Sequence, residues 1–253
     1  NVPWPGNPTP RVAETTGGML NAIGLQNPGI DVFCERDIPF LKKYDTKIIV
    51  NVCGHAPEEY LAVVERLADE PIDMMEINIS CPNVNAGFLA FGQDAKHVEE
   101  LTAQIKKIAK QPIIMKLTPN VTDITEIAKA AETGGADALS LINTLTGMKI
   151  DINRRTFAVA NKTGGVSGPV VHPIAVRMVY QTAQAVNIPI IGMGGIATPE
   201  DAIEMILAGA SAVSVGTANF YNPNATIEII DGIEAYMKKN GFESVKDMVG
   251  IVK

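Results

Sequence analysis

The chain has 253 residues, of which 46% are hydrophobic, and it carries a formal net charge of −7. This length and apolar content suit one large α/β barrel core rather than two ordinary domains. The negative charge argues against nucleic acid as a partner, because binding phosphates needs clustered lysine and arginine. No unbroken apolar run could cross a membrane and no signal region is evident, so we expect a soluble cytoplasmic protein.

The predicted elements alternate between strand and helix after an opening segment, residues 1–29, that is rich in proline and glycine and predicts a long loop. Helices are predicted at residues 30–44, 57–68, 94–110, 123–133, 173–186 and 199–208, with two closing helices after them. Strands are predicted at residues 47–52, 74–79, 112–117, 136–142, 188–193 and 212–215, with an irregular segment at 143–172. Short apolar strands between amphipathic helices indicate a parallel sheet buried on both faces.

Six predicted strands leave two α/β architectures open. One is an open doubly wound sheet, and the other is a (β/α)8 TIM barrel whose first two strands are missing from this sequence. We favour the barrel, because functional-looking residues follow strands all along the chain instead of gathering at one switch point. Residues 1–253 then form a single, N-terminally incomplete barrel domain.

The three cysteines, Cys34, Cys53 and Cys81, form neither a metal-binding pair nor a disulfide framework, so no metal site is expected. Cys34 and Cys53 suit inert packing. Cys81 differs because it follows a predicted strand in a Ser-Cys-Pro-Asn loop, between Asn78 and Asn83. A thiol flanked by two carboxamides offers a proton acceptor and neutral donors for a polar, planar substrate. Inert packing, the commoner role of cysteine, stays open for Cys81 at this point.

Polar residues also end other predicted strands. Lys116 ends one strand and could stabilise negative charge on a bound cofactor, although a lysine whose ammonium only reaches solvent is the alternative. Asn51 ends another strand, and Asn143 with Thr144 follows a third. These side chains would meet at the carboxyl-terminal face of a barrel, where its active site lies.

Glycines follow the last two predicted strands, at Gly194-Gly195 and at Gly216-Thr217. Exposed backbone N–H groups at these two strand ends form the usual phosphate site of a barrel. The flexible run at residues 164–168 could approach a flat ring, and residues 17–25 could lay backbone along a ligand or form a packed surface turn. No Gly-x-Gly-x-x-Gly fingerprint of a Rossmann fold is present.

Five motifs together resemble the class 1 dihydroorotate dehydrogenases. They are residues 78–83 (Asn-Ile-Ser-Cys-Pro-Asn), 115–120 (Met-Lys-Leu-Thr-Pro-Asn), 143–145 (Asn-Thr-Leu), 192–196 (Gly-Met-Gly-Gly-Ile) and 215–220 (Val-Gly-Thr-Ala-Asn-Phe). The resemblance runs along essentially the whole chain. The segment from Cys81 to Asp94 looks like that of the NAD-linked class 1B catalytic subunits. The family also has two earlier strands, the second with a lysine, that this sequence does not contain.

The resemblance implies oxidation of (S)-dihydroorotate to orotate in pyrimidine (UMP) biosynthesis, with FMN as the bound cofactor. Cys81 matches the base that removes the C5 proton while the C6 hydride passes to FMN. The residues that match the substrate site are Asn21, Ala22, Ile23, Gly24, Leu25, Asn78, Asn83, Asn143 and Thr144. The residues that match flavin contacts are Asn51, Asn78, Lys116, Ile142, Gly168, Gly194, Gly195, Gly216 and Thr217.

The resemblance also implies a partner. In the class 1B enzymes, electrons reach NAD through a subunit that carries FAD and an iron–sulfur cluster, and a catalytic homodimer forms the core of a heterotetramer. This chain has too few cysteines to ligate such a cluster. Two other functions stay open: a non-catalytic flavin-binding fragment, and a related dihydropyrimidine dehydrogenase.

Overall fold

The computed structural model describes residues 2–80 and 91–252. Its strands are β1 (Val12–Thr15), β2 (Gly18–Asn21), β3 (Ile49–Val52), β4 (Met74–Asn78), β5 (Ile113–Lys116), β6 (Ala138–Leu141), β7 (Leu145–Met148), β8 (Ile150–Asp151), β9 (Thr156–Phe157), β10 (Thr163–Ser167), β11 (Ile190–Met193) and β12 (Ala212–Ser214). Its α-helices are α1 (Ile30–Val32), α2 (Ile38–Leu41), α3 (Pro57–Leu67), α4 (Ala95–Ile108), α5 (Ile124–Thr133), α6 (His172–Ala183), α7 (Pro199–Ala208) and α8 (Ala225–Asn240).

The main sheet has the strand order β3-β4-β5-β6-β11-β12, and all of its neighbouring pairs are parallel. Strands therefore follow one another across the sheet in chain order. A doubly wound sheet reverses this order at a switch point, whereas a barrel does not. The fold is the TIM-barrel type of α/β structure, as the sequence predicts, and these six strands leave β3 and β12 at the two edges.

The core lies between this sheet and the helices that pack on it. In β5, Ile113, Ile114 and Met115 are each at most 1% exposed, because one face of the strand meets helices and the other faces the barrel interior. Burying an aliphatic side chain of this size stabilises the fold by about 1.5–3 kcal/mol. The polar residues that end the strands are thus held on a rigid support.

Two aspartates set the strand register at the amino-terminal end of the sheet. Asp73, just before β4, accepts a hydrogen bond from Ile48 N at 2.8 Å, and Asp137, just before β6, accepts one from Ile113 N at 2.8 Å. Each carboxylate satisfies a backbone N–H at the start of the neighbouring strand. Asp73 also pairs with Lys47 at 3.0 Å. Each hydrogen bond joins two adjacent strands at the end of the sheet opposite the predicted site.

Side-chain caps begin three of the outer helices. Asp94 accepts from His97 N at the start of α4, and Asp123 accepts from Thr125 N at the start of α5. Thr198 forms a capping box with Asp201 at the start of α7. Such caps satisfy backbone N–H groups that have no partner within the helix.

Two segments differ from the sequence-based expectation of irregular chain. The opening segment forms a hairpin of β1 and β2 around Thr16 and Gly17, and residues 143–172 contain β7 to β10. Four of these strands form an antiparallel sheet in the order β1-β2-β10-β7, in which Asn21 of β2 lies opposite Gly165 of β10, and β8 pairs with β9 in a separate two-stranded sheet. Local periodicity missed this sheet because its pairing joins distant parts of a glycine-rich sequence.

The first predicted helix and the two closing helices differ from the sequence-based prediction in smaller ways. The predicted helix at residues 30–44 ends at Leu41 and contains a π-helical segment, Phe33–Asp37. Of the two closing helices, α8 is an α-helix, and Val245–Met248 is only a short 3-10 helix. Among the described residues, no helix is both long and apolar enough to span a membrane.

Candidate active site

A cavity of about 640 Å³ opens where β5, β6, β11 and β12 end. We call it the barrel-mouth cavity. The antiparallel sheet supplies the rest of its wall, through residues such as Met19 and Val166. Eleven of the residues predicted from the sequence line it: Asn21, Ile23, Lys116, Ile142, Asn143, Thr144, Gly168, Gly194, Gly195, Gly216 and Thr217. Its volume falls in the usual range for small-molecule sites, about 300–1,000 Å³.

Lys116 lines this cavity at the end of β5, and its ammonium group forms an ion pair with Glu76. Its Nζ lies 3.3 Å from Glu76 Oε2, and the two side chains are only 19% and 13% exposed. Glu76 also accepts hydrogen bonds from Asn51 Nδ2 at 2.5 Å and from Ser140 Oγ at 2.7 Å. The lysine is therefore held inside the barrel and does not simply reach into solvent.

A second polar network joins the ends of β4 and β6. Asn78 Oδ1 accepts from Ser80 Oγ at 2.9 Å, and Asn143 Nδ2 donates to Ser80 Oγ at 2.6 Å. Tyr60 Oη donates to the backbone oxygen of Asn78 at 2.8 Å. Ser80 is 3% exposed and immediately precedes Cys81. The network thus fixes the chain just before the predicted base, although Cys81 and Asn83 themselves lie outside the described residues.

The glycines at the ends of β11 and β12 have different environments. A Cβ on Gly194 would lie 2.6 Å from Ala175 Cβ, and one on Gly195 would lie 2.7 Å from Gly168 O. Close packing therefore requires both glycines whether or not a ligand binds. Gly216 lines the cavity, and a Cβ built on it would meet no atom of the described residues within 4 Å. Packing does not explain this glycine, which leaves open space for a ligand beside the backbone.

The remaining predicted residues that the structure describes do not line this cavity. Ala22 is fully buried against Leu20 beneath the hairpin, and Gly24 packs on Asn7. Leu25 and Asn51 line a separate cavity of about 410 Å³ along β3. Asn78 is 8% exposed and reaches the barrel-mouth cavity only through its hydrogen bond with Asn143.

Sequence reasoning missed four polar residues of these networks: Glu76, Ser80, Ser140 and Tyr60. A signal for the first two was present, because Glu76, Asn78 and Ser80 are spaced two residues apart and side chains at that spacing share a strand face. Ser140 could have been found from register, since it lies opposite Lys116 on the neighbouring strand. Thr217, by contrast, was predicted, and it donates to Ser167 Oγ at 2.7 Å.

The fold and the site define a class of protein: a parallel α/β barrel with a polar, small-molecule cavity at the carboxyl ends of its strands, which is where barrel enzymes bind their substrates. The family model for dihydroorotate dehydrogenase matches residues 1–237. The chain therefore belongs to the dihydroorotate dehydrogenase family, a family of oxidoreductases.

Curated relatives agree with this assignment. The chain is 68% identical over 253 residues to the dihydroorotate dehydrogenase B (NAD(+)) catalytic subunit of Lachnoclostridium phytofermentans, covering 100% of this chain and 84% of that protein. It is 62% identical over 250 residues to the subunit of the same name from Alkaliphilus metalliredigens, covering 99% of this chain and 83% of that one.

A solved structure supports the fold. The crystal structure of DHODH in complex with ferulenol from Eimeria tenella matches with a TM-score of 0.82, over 99% of this chain and 76% of that one, at 24% sequence identity.

Proposed function

We propose that this chain oxidises (S)-dihydroorotate to orotate in the pyrimidine pathway, with FMN bound in the barrel-mouth cavity. One observation supports this most strongly: eleven residues chosen from the sequence as substrate or flavin contacts line a single cavity in a chain of this family. The cavity combines apolar walls such as Ile142 with a cation, amides and glycine backbone, which is the mixture that a charged, planar ligand requires.

The residues present fit FMN. Gly216 offers open space beside the backbone, and Gly194, Gly195 and Thr217 lie at the neighbouring strand ends, where barrels bind phosphate. Lys116 supplies the positive charge that an electron-rich ring system favours. FMN, when bound, supplies a ring that accepts the hydride from C6 of the substrate.

The protein's own part is to hold the substrate and to remove a proton from its C5. In the proposal Cys81 is the base, and a thiol with an ordinary pKa near 8.5 needs local stabilisation of its thiolate to act at neutral pH. The Asn78–Ser80–Asn143 network fixes the residue before it. Asn143 and Thr144 face the cavity as neutral hydrogen-bonding groups for the pyrimidine and its carboxylate.

We further propose that electrons leave through a partner subunit that carries FAD and an iron–sulfur cluster and reduces NAD, with a catalytic homodimer at the core of a heterotetramer. The curated relatives are named catalytic subunits of NAD(+) enzymes, and the word subunit supports the presence of a partner. Mixing the purified chain with such a subunit should couple dihydroorotate oxidation to NADH formation.

Gly216→Ala tests the cofactor site. The new Cβ meets no atom of residues 2–80 or 91–252 within 4 Å, so the melting temperature of the ligand-free chain should stay close to that of the wild type. FMN affinity should fall at least about tenfold, because the methyl group takes space used by the cofactor. Ser211→Ala, an exposed change just before β12, is the control and should alter neither quantity. Unchanged FMN affinity in Gly216→Ala would contradict this placement of the cofactor.

Cys81→Ser tests the chemistry. The variant should retain FMN and reduce it with dihydroorotate about a hundredfold or more slowly, the usual scale for loss of a general base. Unchanged rates at pH 7 would exclude Cys81 as the base.

Comparing two substrates separates this proposal from the two other functions, a dihydropyrimidine dehydrogenase and a non-catalytic flavin-binding fragment. Equal flavin reduction by dihydrouracil and dihydroorotate would favour the dihydropyrimidine dehydrogenase. Flavin that is bound but reduced by neither substrate would favour the non-catalytic fragment.

A further inference from the structure

Glu76 forms the centre of a charged cluster inside the barrel, behind the cavity wall. Its carboxylate receives hydrogen bonds from Asn51 on β3 and Ser140 on β6, and it pairs with Lys116 on β5. Lys116 lines the barrel-mouth cavity, and Glu76 does not. The lysine is thus the group that faces a ligand, and the glutamate lies behind it.

The environment makes this pair interdependent. With side-chain exposures of 13% for Glu76 and 19% for Lys116, neither charge is well solvated, and removing one partner leaves the other largely buried and uncompensated. The two neutral donors, Asn51 and Ser140, fix the carboxylate from both sides and so restrict where the ammonium group can lie. The arrangement therefore holds the positive charge of Lys116 at one position beside the cavity.

The geometry points to Glu76 as the positioning residue for Lys116: it holds the ammonium group at the cavity wall and offsets its charge there. The pair, and not the lysine alone, then sets how strongly the site favours negative charge on the bound ring. This inference rests on the proposed binding of FMN in the barrel-mouth cavity. It assigns a role to a residue that matches neither the base nor a predicted ligand contact.

Glu76→Gln separates charge from shape. The amide oxygen can still accept from Asn51 and Lys116, and the Ser140 hydroxyl can turn to accept from the new NH₂ group, because a hydroxyl both donates and accepts. The substitution therefore keeps the cluster's shape and removes one negative charge. The unopposed lysine should favour the anionic adduct that sulfite forms with oxidised flavin.

The experiment measures the Kd of sulfite from flavin bleaching in the FMN-bound chain. We expect Glu76→Gln to lower this Kd about tenfold, equivalent to about 30 mV for a two-electron couple. Lys116→Gln should raise it by a similar factor, and the double variant should stay within about threefold of Lys116→Gln, because Glu76 then has no ammonium group to position. Glu126→Gln, which makes the same charge change at an exposed site on α5, should have no effect.

Each outcome is decisive. If Glu76→Gln does not fold, comparing Lys116→Gln with the double variant still tests the inference, because a difference of about tenfold between them would mean that Glu76 acts on the flavin without the lysine. Sulfite affinity that is unchanged in Glu76→Gln, or that changes by the same factor in both backgrounds, would overturn the inference while leaving FMN binding intact. A wild-type chain that binds no FMN would instead refute the proposed function, and the inference with it.

Discussion

Replacing Ser80 by alanine removes the hydroxyl group that joins two carboxamides just before Cys81. Ser80 Oγ donates to Asn78 Oδ1 at 2.9 Å and accepts from Asn143 Nδ2 at 2.6 Å, at a site that is 3% exposed. Alanine fills nearly the same space without either hydrogen bond. Both amides keep weaker contacts, since Asn143 Nδ2 also lies 3.2 Å from Ser80 O and Asn78 Oδ1 lies 3.3 Å from Ser80 N.

The expected destabilisation follows from these contacts. Two buried hydrogen bonds at about 1 kcal/mol each give a loss of about 2 kcal/mol in the free energy of unfolding. For a chain of this size, that loss corresponds to a fall in melting temperature of about 4–8 °C. Flavin reduction by dihydroorotate should slow as well, because the segment that begins at Cys81 loses its anchor, while FMN remains bound.

Thermal unfolding followed by circular dichroism measures the first effect, and anaerobic stopped-flow absorbance of the FMN-bound chain measures the second. Ser211→Ala makes the same substitution at an exposed site and should change the free energy of unfolding by less than about 0.5 kcal/mol. Equal melting temperatures for the two variants would refute the reasoning, because they would mean that the Ser80 hydroxyl carries no buried network.

Three further substitutions or measurements test other parts of the structure. Gly194→Ala should lower the urea midpoint by an amount equivalent to about 1–3 kcal/mol, since its φ is +129° and the new Cβ would lie 2.6 Å from Ala175 Cβ; an unchanged midpoint would contradict this packing. The hydrogen bond from Ile48 N lowers the pKa of Asp73, so its contribution to stability is present above about pH 3.9 and is lost as the pH falls through the lower folded pKa. The stability difference between wild type and Asp73→Asn should therefore shrink below about pH 4 in acid unfolding, and a constant difference would be inconsistent with this. Burial raises the pKa of Cys34, so iodoacetamide at pH 8 should alkylate Cys34 more slowly than it alkylates the thiol of free glutathione. Mass spectrometry measures both rates, and equal rates would contradict the burial of Cys34.

Much of the barrel could be predicted from local sequence. Strands such as β5 are short apolar runs between amphipathic helices, and this pattern reflects burial on both faces of a parallel sheet. The antiparallel sheet could not be predicted in this way. Its strand β2 contains Gly18 and pairs with β10, which contains Gly164 and Gly165, so neither strand has a strong propensity of its own and each depends on a distant partner.

The candidate site was predictable where chemistry coincides with a strand end. Lys116, Gly194 and Gly216 all leave strands of the main sheet at the same edge, and the barrel brings them to one cavity. The role of Glu76 could not be read from composition, since a glutamate in an alternating strand usually faces solvent. Its importance arises from register, because Asn51 lies directly opposite it on β3 and Lys116 opposite Asn78 on β5.

The central claim is that dihydroorotate reduces a flavin bound in the barrel-mouth cavity. The most direct measurement is the visible absorption spectrum of the FMN-loaded chain under anaerobic conditions, recorded before and after adding dihydroorotate. We expect the oxidised flavin band to bleach with wild-type protein and to bleach much more slowly with Cys81→Ser. A flavin band that stays unchanged with wild-type protein at saturating dihydroorotate would contradict the proposed function.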